Sequence, residues 1–404
     1  MIKIMKASLI TVIMIQILGA ADIEEIDTLE KMFTNASVSG EIRFISAGEH
    51  QPSPAMDSTY TTAIGGMLKY ELAVLNGFNA GFAFRTSQDI GVATHEASIT
   101  KTSGNSNLSS SAGVYTKLTE VYVNYKYNGL NIRLGRQVID TPLADSDDWS
   151  MNSNSFEAYI ATYEYSDFSF MAGNLQNWQG TDAGLDNSWV SHGENGTYLV
   201  GVIYSQAFDM SAWYYDISVK GAETKAIYFD ASYSYEFNKN ISLNSSIQYI
   251  NQSQVNNSGV EANIYGALEE LAVYGATINV AYSKSLENID KKSFSGFGGG
   301  VLYTSMNIMI LDVIAQDREA DAFMAMINYN LFGADIYYAY TNFIGGKNSL
   351  GKEEHIVERD IGVNYAFNDN FELVSVYVIE EDFKSSVKTP NDWERFQVML
   401  RYTF

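Results

Sequence analysis

The sequence predicts an all-β fold, a transmembrane antiparallel β-barrel, and three observations support this prediction. The final residues, 394–404, alternate between apolar and polar side chains and end in the aromatic residue Phe404. The same period of two recurs along nearly the whole chain after residue 37. The chain also contains 28 Tyr and 21 Phe but only 4 Pro. In a membrane barrel one face of each strand contacts lipid, the other contacts water, and aromatic residues collect at both interfaces.

The first residues of the chain, 1–21, have the features of a secretory signal peptide. Lys3 and Lys6 precede an apolar stretch from Ala7 to Leu18, and small residues at 19–21 offer a cleavage site. This stretch is too short for a membrane-spanning helix, which needs about 18 apolar residues or more. We therefore expect the chain to be exported from the cytoplasm.

Residues 22–36 are predicted to form a short periplasmic segment ahead of the barrel. The sequence Asp27-Thr28-Leu29-Glu30 resembles a capping box, with Asp27 as the N-cap and Glu30 at the third helical position. It favours one or two helical turns here, and a frayed linker is the alternative.

Residues 37–404 are predicted to form the barrel, because short turns alternate there with long loops. Eight turns and nine loops predict 18 strands, and 16 is the alternative if one weak pair is misassigned. Outer-membrane barrels have an even strand number, short periplasmic turns and long external loops, so both termini should be periplasmic. The predicted turns lie at 75–77, 128–129, 166–167, 207–208, 237–240, 269–270, 331–332 and 367–370.

An 18-stranded barrel encloses a lumen wide enough for water, so the predicted inward side chains matter for function. If the more apolar face of each strand contacts lipid, seven cations point inward on strands that are neighbours once the last strand pairs with the first. These residues, called here the basic ladder, are Arg43, Lys69, Arg85, Lys126, Arg133, Arg395 and Arg401. They can guide anionic or zwitterionic solutes. Alternatively, each pairs with a neighbouring carboxylate, such as Glu41, Glu71 or Glu120, and stabilises the barrel wall.

The loop predicted at 137–155 is acidic and contains no Lys or Arg. Its four aspartates are Asp140, Asp145, Asp147 and Asp148. Two interpretations remain open. The loop is an ordinary solvated segment on the surface, or it folds into the barrel, places an acidic edge opposite the basic ladder and narrows the pore.

Composition excludes several kinds of chemistry. The chain has no Cys, which excludes disulfides, thiolate metal sites and a Cys nucleophile. A net charge of −23 opposes nucleic acid as a partner. The glycine-rich segment 296–300 lacks the context of a phosphate loop and is interpreted as a flexible part of a long loop. The four histidines show no metal-site spacing, so we expect neither a metal, a cofactor nor an enzyme; they are His50, His95, His192 and His355.

Three segments resemble the OprD-type outer-membrane porins, most closely the branch common in epsilonproteobacteria. They are VSGEIR at 38–43, the stretch at 134–157 that begins LGRQ and ends NSFE, and GGGVLYT at 298–304. The resemblance implies an 18-stranded barrel, an inward-folded third loop, a basic ladder and passive uptake of small solutes, carboxylate-bearing in specialised members. Family members commonly carry an Arg and a Pro where this chain has WSMNS at 149–153. That departure opposes specific carboxylate recognition.

The sequence therefore predicts an outer-membrane porin that passes ions and small hydrophilic solutes by diffusion, with a mild preference for cations. We expect the C-terminal strand, which ends in Phe404, to engage the barrel-assembly machinery of a bacterial outer membrane. The alternative is a surface adhesin with long binding loops and a barrel that does not conduct. A trimer and a monomer both remain open.

Overall fold

The structure is a computed structural model of the 404-residue chain. The predicted signal peptide lies outside the described residues, as does His95. The described residues are 26–52, 58–91, 107–108, 110, 113–307, 315–385, 387–389 and 391–404.

One short helix and a series of antiparallel strands make up this part of the chain. The helix, α1, spans Leu29–Thr34. The strands are β1 (Ser37–His50), β2 (Thr59–Glu71), β3 (Phe78–Asp89), β4 (Tyr115–Tyr127), β5 (Leu130–Gln137), β6 (Ser155–Tyr165), β7 (Phe168–Gln179), β8 (Val190–Ser191), β9 (Thr197–Ser205), β10 (Asp209–Ile217), β11 (Thr224–Asn238), β12 (Ile241–Gln254), β13 (Ala262–Val273), β14 (Ala276–Ser285), β15 (Ala320–Leu331), β16 (Ala334–Gly345), β17 (Glu354–Asn368), β18 (Phe371–Asp382) and β19 (Trp393–Thr403).

The strands form one closed sheet. Each long strand pairs with the next long strand along the chain, and β19 pairs with β1 from Glu41 opposite Thr403 to His50 opposite Glu394. The two-residue strand β8 pairs only with the end of β7. The remaining 18 strands make the barrel, so the prediction of an all-β barrel with 18 strands is confirmed and the 16-strand alternative is wrong.

Burial alternates along the strands as the sequence pattern predicts. On β1 the side chains of Ile42 and Phe44 are exposed on the outer surface, whereas Arg43 and Ile45 are fully buried towards the interior. A strand with period two can present apolar residues to one side and charged residues to the other without any change in backbone conformation. The barrel therefore has an apolar outer face and an inner face rich in polar and charged groups.

Seven of the eight predicted turns fall between consecutive strands, and one is wrong. Residues 269–270 lie inside β13, and the turn that follows is at Tyr274 and Gly275. Both turn residues have positive φ, 48° and 86°, which is the backbone conformation of a type I′ hairpin. The two consecutive glutamates resembled a polar turn, but Glu269 is an outward strand residue whose carboxylate accepts a 2.6 Å hydrogen bond from the Ser245 hydroxyl.

The helix begins one residue later than the capping box suggests. Thr28 is the N-cap, and its Oγ1 accepts a hydrogen bond of 3.3 Å from the Lys31 backbone N–H. Asp27, the predicted N-cap, instead forms an ion pair of 2.7 Å with the Lys31 ammonium. Among the described residues no helix is long and apolar enough to cross a membrane.

Gly201 in β9 is predicted to tolerate no side chain, because the ring of Trp213 in β10 lies directly over its Cα. Gly201→Ala forces that buried ring to move and should lower the free energy of unfolding by about 1–3 kcal/mol. Urea titration in detergent micelles measures the loss. Gly266→Ala is the matched control, since its new methyl group meets mainly the flexible Gln248 side chain. Equal stability of Gly201→Ala and the wild type would contradict this packing.

Candidate functional site

The basic ladder lies on six adjacent strands. The strands β19, β1, β2, β3, β4 and β5 are consecutive neighbours in the sheet, and between them they carry all seven predicted cations. Apolar residues flank these cations in the sequence and are exposed on the outer face, as Leu68 and Leu134 are beside Lys69 and Arg133. The cations therefore share one side of the barrel interior.

Three ladder residues converge on one carboxylate of the loop between β5 and β6, residues 138–154, called here the β5–β6 loop. Asp148 Oδ2 lies 2.6 Å from Arg43 Nη2 and 3.8 Å from Arg401 Nη1. Asp148 Oδ1 lies 3.6 Å from Arg85 Nη1. The three arginines belong to β1, β19 and β3, so a single aspartate links the loop to three strands.

Arg43 is the centre of this cluster, and its side chain is 0% exposed. Its guanidinium also bonds the Glu41 carboxylate at 2.8 Å and the backbone carbonyl of Ser150. Glu41 in turn accepts a 3.0 Å hydrogen bond from Arg85. A buried cation is stable only when its charge is compensated, and two carboxylates and a carbonyl provide that compensation at Nη1 and Nη2, whereas Nε is buried without a hydrogen-bond partner.

The residues after Asp148 extend the contact with the inner wall. The Arg395 guanidinium stacks 4.1 Å from the ring centre of Trp149, and Gln397 Nε2 donates a 2.6 Å hydrogen bond to the Trp149 carbonyl. Met151 is fully buried against β2, where a Cβ on Gly65 would lie 2.9 Å from the Met151 sulfur. Segment 148–151 thus lies against the basic ladder rather than opposite it.

Two other aspartates of the loop, Asp140 and Asp145, accept hydrogen bonds from the backbone of the loop itself. Asp140 Oδ1 accepts a 2.8 Å hydrogen bond from the Ser146 backbone N–H, and Asp145 Oδ1 accepts one of 2.7 Å from the N–H of Asp147. Asp147 itself has a positive φ of 41°. Asp140 and Asp145 are buried, so these two carboxylates shape the loop backbone and contribute little charge to any surface.

The glycine-rich segment is closely packed, contrary to its interpretation as flexible. Phe297 exchanges backbone hydrogen bonds with the β5–β6 loop, donating to Leu143 at 2.8 Å and accepting from Asp145 at 2.9 Å. A side chain on Gly296 or Gly298, both at positive φ, would come within 2.5 Å of a carbonyl oxygen of the same loop. The glycines are required because two backbones approach closely at this point.

His192 completes the packing around Phe297. Its ring stacks on the Phe297 ring at 3.8 Å, and its Nδ1 lies 3.1 Å from the Thr197 hydroxyl. Burial lowers the pKa of His192 to about 3, so the imidazole is neutral at physiological pH. Among the described residues no group of three or more His, Cys, Asp or Glu side chains is arranged to hold a metal ion.

Three further ladder residues, Lys69, Lys126 and Arg133, lie near the ends of β2, β4 and β5 that lead into the short turns, and they differ in their partners. Lys69 contacts Glu120 at 3.0 Å. Arg133 lies over the Tyr122 ring at 4.3 Å and donates to the Asn124 side chain at 3.4 Å. Four ladder cations, Arg43, Arg85, Lys69 and Arg401, therefore have carboxylate partners. Lys126, Arg133 and Arg395 make no ion pair within the described part of the chain.

Acidic residues line the interior elsewhere. Glu358 and Glu380 face each other across β17 and β18, and both are buried. Asp360 accepts a hydrogen bond from Asn307 of the loop between β14 and β15. Asp230 on β11 is buried and bonded by the Ser211 hydroxyl. The ladder cations on β19 to β5 are thus accompanied by Glu41 and Glu120 on the same strands, whereas these further acids lie on β11 and on β17 and β18, of which β18 is next to β19.

The fold matches solved structures over almost the entire chain. OccAB4 of Acinetobacter baumannii aligns with a TM-score of 0.77 and 13% identity, covering 95% of this chain and 100% of that one. OpdK of Pseudomonas aeruginosa, solved with vanillate, aligns with 0.74 and 12%, covering 92% and 99%. OccAB2 of A. baumannii aligns with 0.74 and 14%, covering 93% and 99%. These are OprD-family porins, so the chain has the fold that the sequence resemblance implied. Neither a protein-family model nor a curated protein matches it.

The ion pairs of Asp148 predict an acid-sensitive loop. Burial raises the pKa of the Asp148 carboxyl, but the charges of Arg43 and Arg85 outweigh burial and hold that pKa well below its usual range. A depressed folded-state pKa stabilises the protein above the unfolded value of about 3.9, and this contribution is lost as the pH falls below it. The melting temperature of wild type should therefore exceed that of Asp148→Asn at pH 7, and the difference should shrink below about pH 4.

Thermal melts followed by circular dichroism at several pH values measure this difference. Asp369→Asn, at an exposed turn between β17 and β18, removes the same charge without touching the cluster and should melt like the wild type. A gap between wild type and Asp148→Asn that stays constant down to pH 2 would show that these ion pairs do not hold the loop.

Proposed function

We propose that this chain is an outer-membrane porin that lets ions and small hydrophilic solutes diffuse through its lumen. The observation that carries the proposal is a closed barrel of 18 strands with an apolar outer face and a charged inner face. A barrel of this size is wide enough to hold water and solutes inside. The solved structures with the same fold, OccAB4 among them, support the same role.

The outer face supports a location in the bacterial outer membrane. Large apolar side chains are exposed on every side of the barrel, which is unfavourable in water and favourable in lipid. They include Ile42, Leu68, Val123, Val200, Ile247, Phe323 and Ile361. The signal sequence predicted at 1–21 agrees with export to that membrane. In the orientation usual for outer-membrane barrels, the short turns are periplasmic and the long loops are external.

The C-terminal strand fits recognition by the barrel-assembly machinery. Phe404 exchanges two backbone hydrogen bonds of 3.0 Å with Gly40 of β1, at the seam that closes the barrel. Its ring remains about half exposed on the outer face. Since β1 and β19 pair only when the barrel closes, this terminal segment is free to be bound before closure.

The β5–β6 loop is proposed to narrow the lumen. Three contacts support this proposal: the ion pairs of Asp148, the stack of Trp149 on Arg395 and the burial of Met151 against Gly65. In each contact the partner of the loop residue belongs to the inner face of the wall. A segment held against an inner wall occupies part of the cross-section. Loop size and contacts, rather than strand number alone, would then set the size of permeating solutes.

The inner charges favour small solutes that carry a carboxylate. Lys126 and Arg133 lack carboxylate partners among the described residues, so a solute can provide one. OpdK was solved with vanillate, itself a carboxylate. Buried carboxylates also lie next to the ladder, since Glu358 and Glu380 are on β17 and β18 and β18 pairs with β19. We retain a mild preference for cations among simple ions, because the chain is acidic overall.

Planar-bilayer recording tests the porin function. Purified protein should insert with stepwise, stable increases in current, and the reversal potential under a salt gradient should show a mild preference for cations. A folded, heat-modifiable barrel that never conducts would refute the porin function and favour a closed surface-recognition barrel.

Replacing Lys126 and Arg133 together with Gln should reduce the flux of a small carboxylate several-fold, because this removes from its path two cations that have no carboxylate partner among the described residues. Flux of an uncharged sugar of similar size should be unchanged. Liposome-swelling rates measure both. Lys284→Gln is the control, since Lys284 lies at the outer rim in ion pairs with Glu319 and Asp321. Equal losses for carboxylate and sugar would show that the two cations support the wall rather than guide solutes.

A further inference from the structure

Helix α1 carries two large apolar side chains that nothing in the described structure covers. Leu29 is 64% exposed and Phe33 is 56% exposed. They are four residues apart, so they lie on the same face of the helix. Met32, between them in sequence, is instead buried with Ile26 and Ala73. The helix therefore has one apolar face packed on the barrel and a second apolar face exposed.

The position of α1 is fixed by the turn between β2 and β3. The Ile26 backbone N–H donates to the Val74 carbonyl at 3.0 Å, and the Ala73 N–H donates to the Met32 carbonyl at 3.1 Å. These bonds hold the segment before the helix and the helix itself. Leu29 and Phe33 are consequently presented at one defined place at the turn end of the barrel.

That place adjoins the aromatic edge of the outer face. The Tyr70 hydroxyl donates a 3.4 Å hydrogen bond to the Phe33 carbonyl, and the Tyr70 ring lies 5.5 Å from that of Phe82. Phe78 and Tyr125 form a second aromatic pair nearby, at 4.6 Å. The exposed face of α1 is thus continuous with the belt of tyrosines and phenylalanines that marks a membrane interface in barrels.

We propose that α1 is an interfacial anchor, with Leu29 and Phe33 inserted into the periplasmic leaflet of the membrane that surrounds the barrel. The proposal rests on the outer-membrane location proposed above. The polar residues in and just before α1 suit this arrangement. Asp27 and Lys31 form an ion pair, and both remain exposed, as does Glu30. A short helix with apolar residues on one side and charges on the other lies in the plane of such an interface.

Anchoring would give the segment before β1 a function in the barrel. The strand that must pair with β19 begins at Ser37, directly after the helix. Lipid contact at Leu29 and Phe33 would fix the level of this strand in the membrane, where Val38 is the first outward residue. The occupant of the exposed face is therefore lipid; a second copy or a periplasmic protein is the alternative that the experiment below detects.

The absence of cysteine from the sequence makes a clean labelling experiment possible. Phe33→Cys is labelled with an environment-sensitive fluorophore, and the protein is inserted into phosphatidylcholine vesicles with or without brominated acyl chains. Leu68→Cys, on the apolar outer face of β2, is the positive control. Glu30→Cys, on the same helix, is the negative control. Leu29→Cys provides an independent second position on the proposed contact face.

The anchor predicts that brominated lipid quenches the labels at residues 29 and 33 by at least about half as much as the Leu68 label, and leaves the Glu30 label nearly unquenched. Quenching at Leu68 with none at Leu29 or Phe33 would refute the anchor while the membrane location stands. In that case the labels at residues 29 and 33 would be surrounded by protein or by water instead of lipid. An unquenched Leu68 label would refute the membrane location itself, and with it the anchor.

Discussion

The arrangement of the interior depends on the ion cluster around Arg43. A guanidinium with no exposed surface requires compensation of its charge, and here Glu41, Asp148 and the Ser150 carbonyl provide it through the two Nη atoms. Two of these three partners belong to the β5–β6 loop. The loop and the wall therefore stabilise each other. Without the loop, Arg43 would be buried without Asp148 and the Ser150 carbonyl, and without Arg43, Asp148 would lose its nearest cation.

Packing among the loops reinforces this electrostatic contact. On one side, Met151 lies over Gly65, where the inner wall has no side chain. On the other side, Phe297 pairs with the backbone of the same loop and stacks on His192. The glycines beside Phe297 allow this approach because any side chain would collide with a carbonyl. Backbone bonding and aromatic packing together fix a long segment that a barrel of this width would otherwise leave mobile.

Local pattern was sufficient to predict the barrel, because strand period, turn residues and loop lengths are all local properties of the sequence. It failed at 269–270, where two strand glutamates resembled a turn and the true turn used Tyr274 and Gly275. The inner site was only partly predictable. Asp145 and Asp148 look alike in sequence, yet one bonds its own loop and the other bonds three distant arginines. The apolar pair of Trp149 and Met151 in an acidic loop was the available signal for burial.

The central claim is that the Asp148 contact holds the β5–β6 loop against the basic ladder and so limits the pore. Single-channel conductance of Asp148→Asn, compared with the wild type and with Asp369→Asn at the turn end, tests it most directly. A larger or flickering conductance is expected for Asp148→Asn alone, because the loop is released from the wall. The same steady conductance in all three proteins would contradict it.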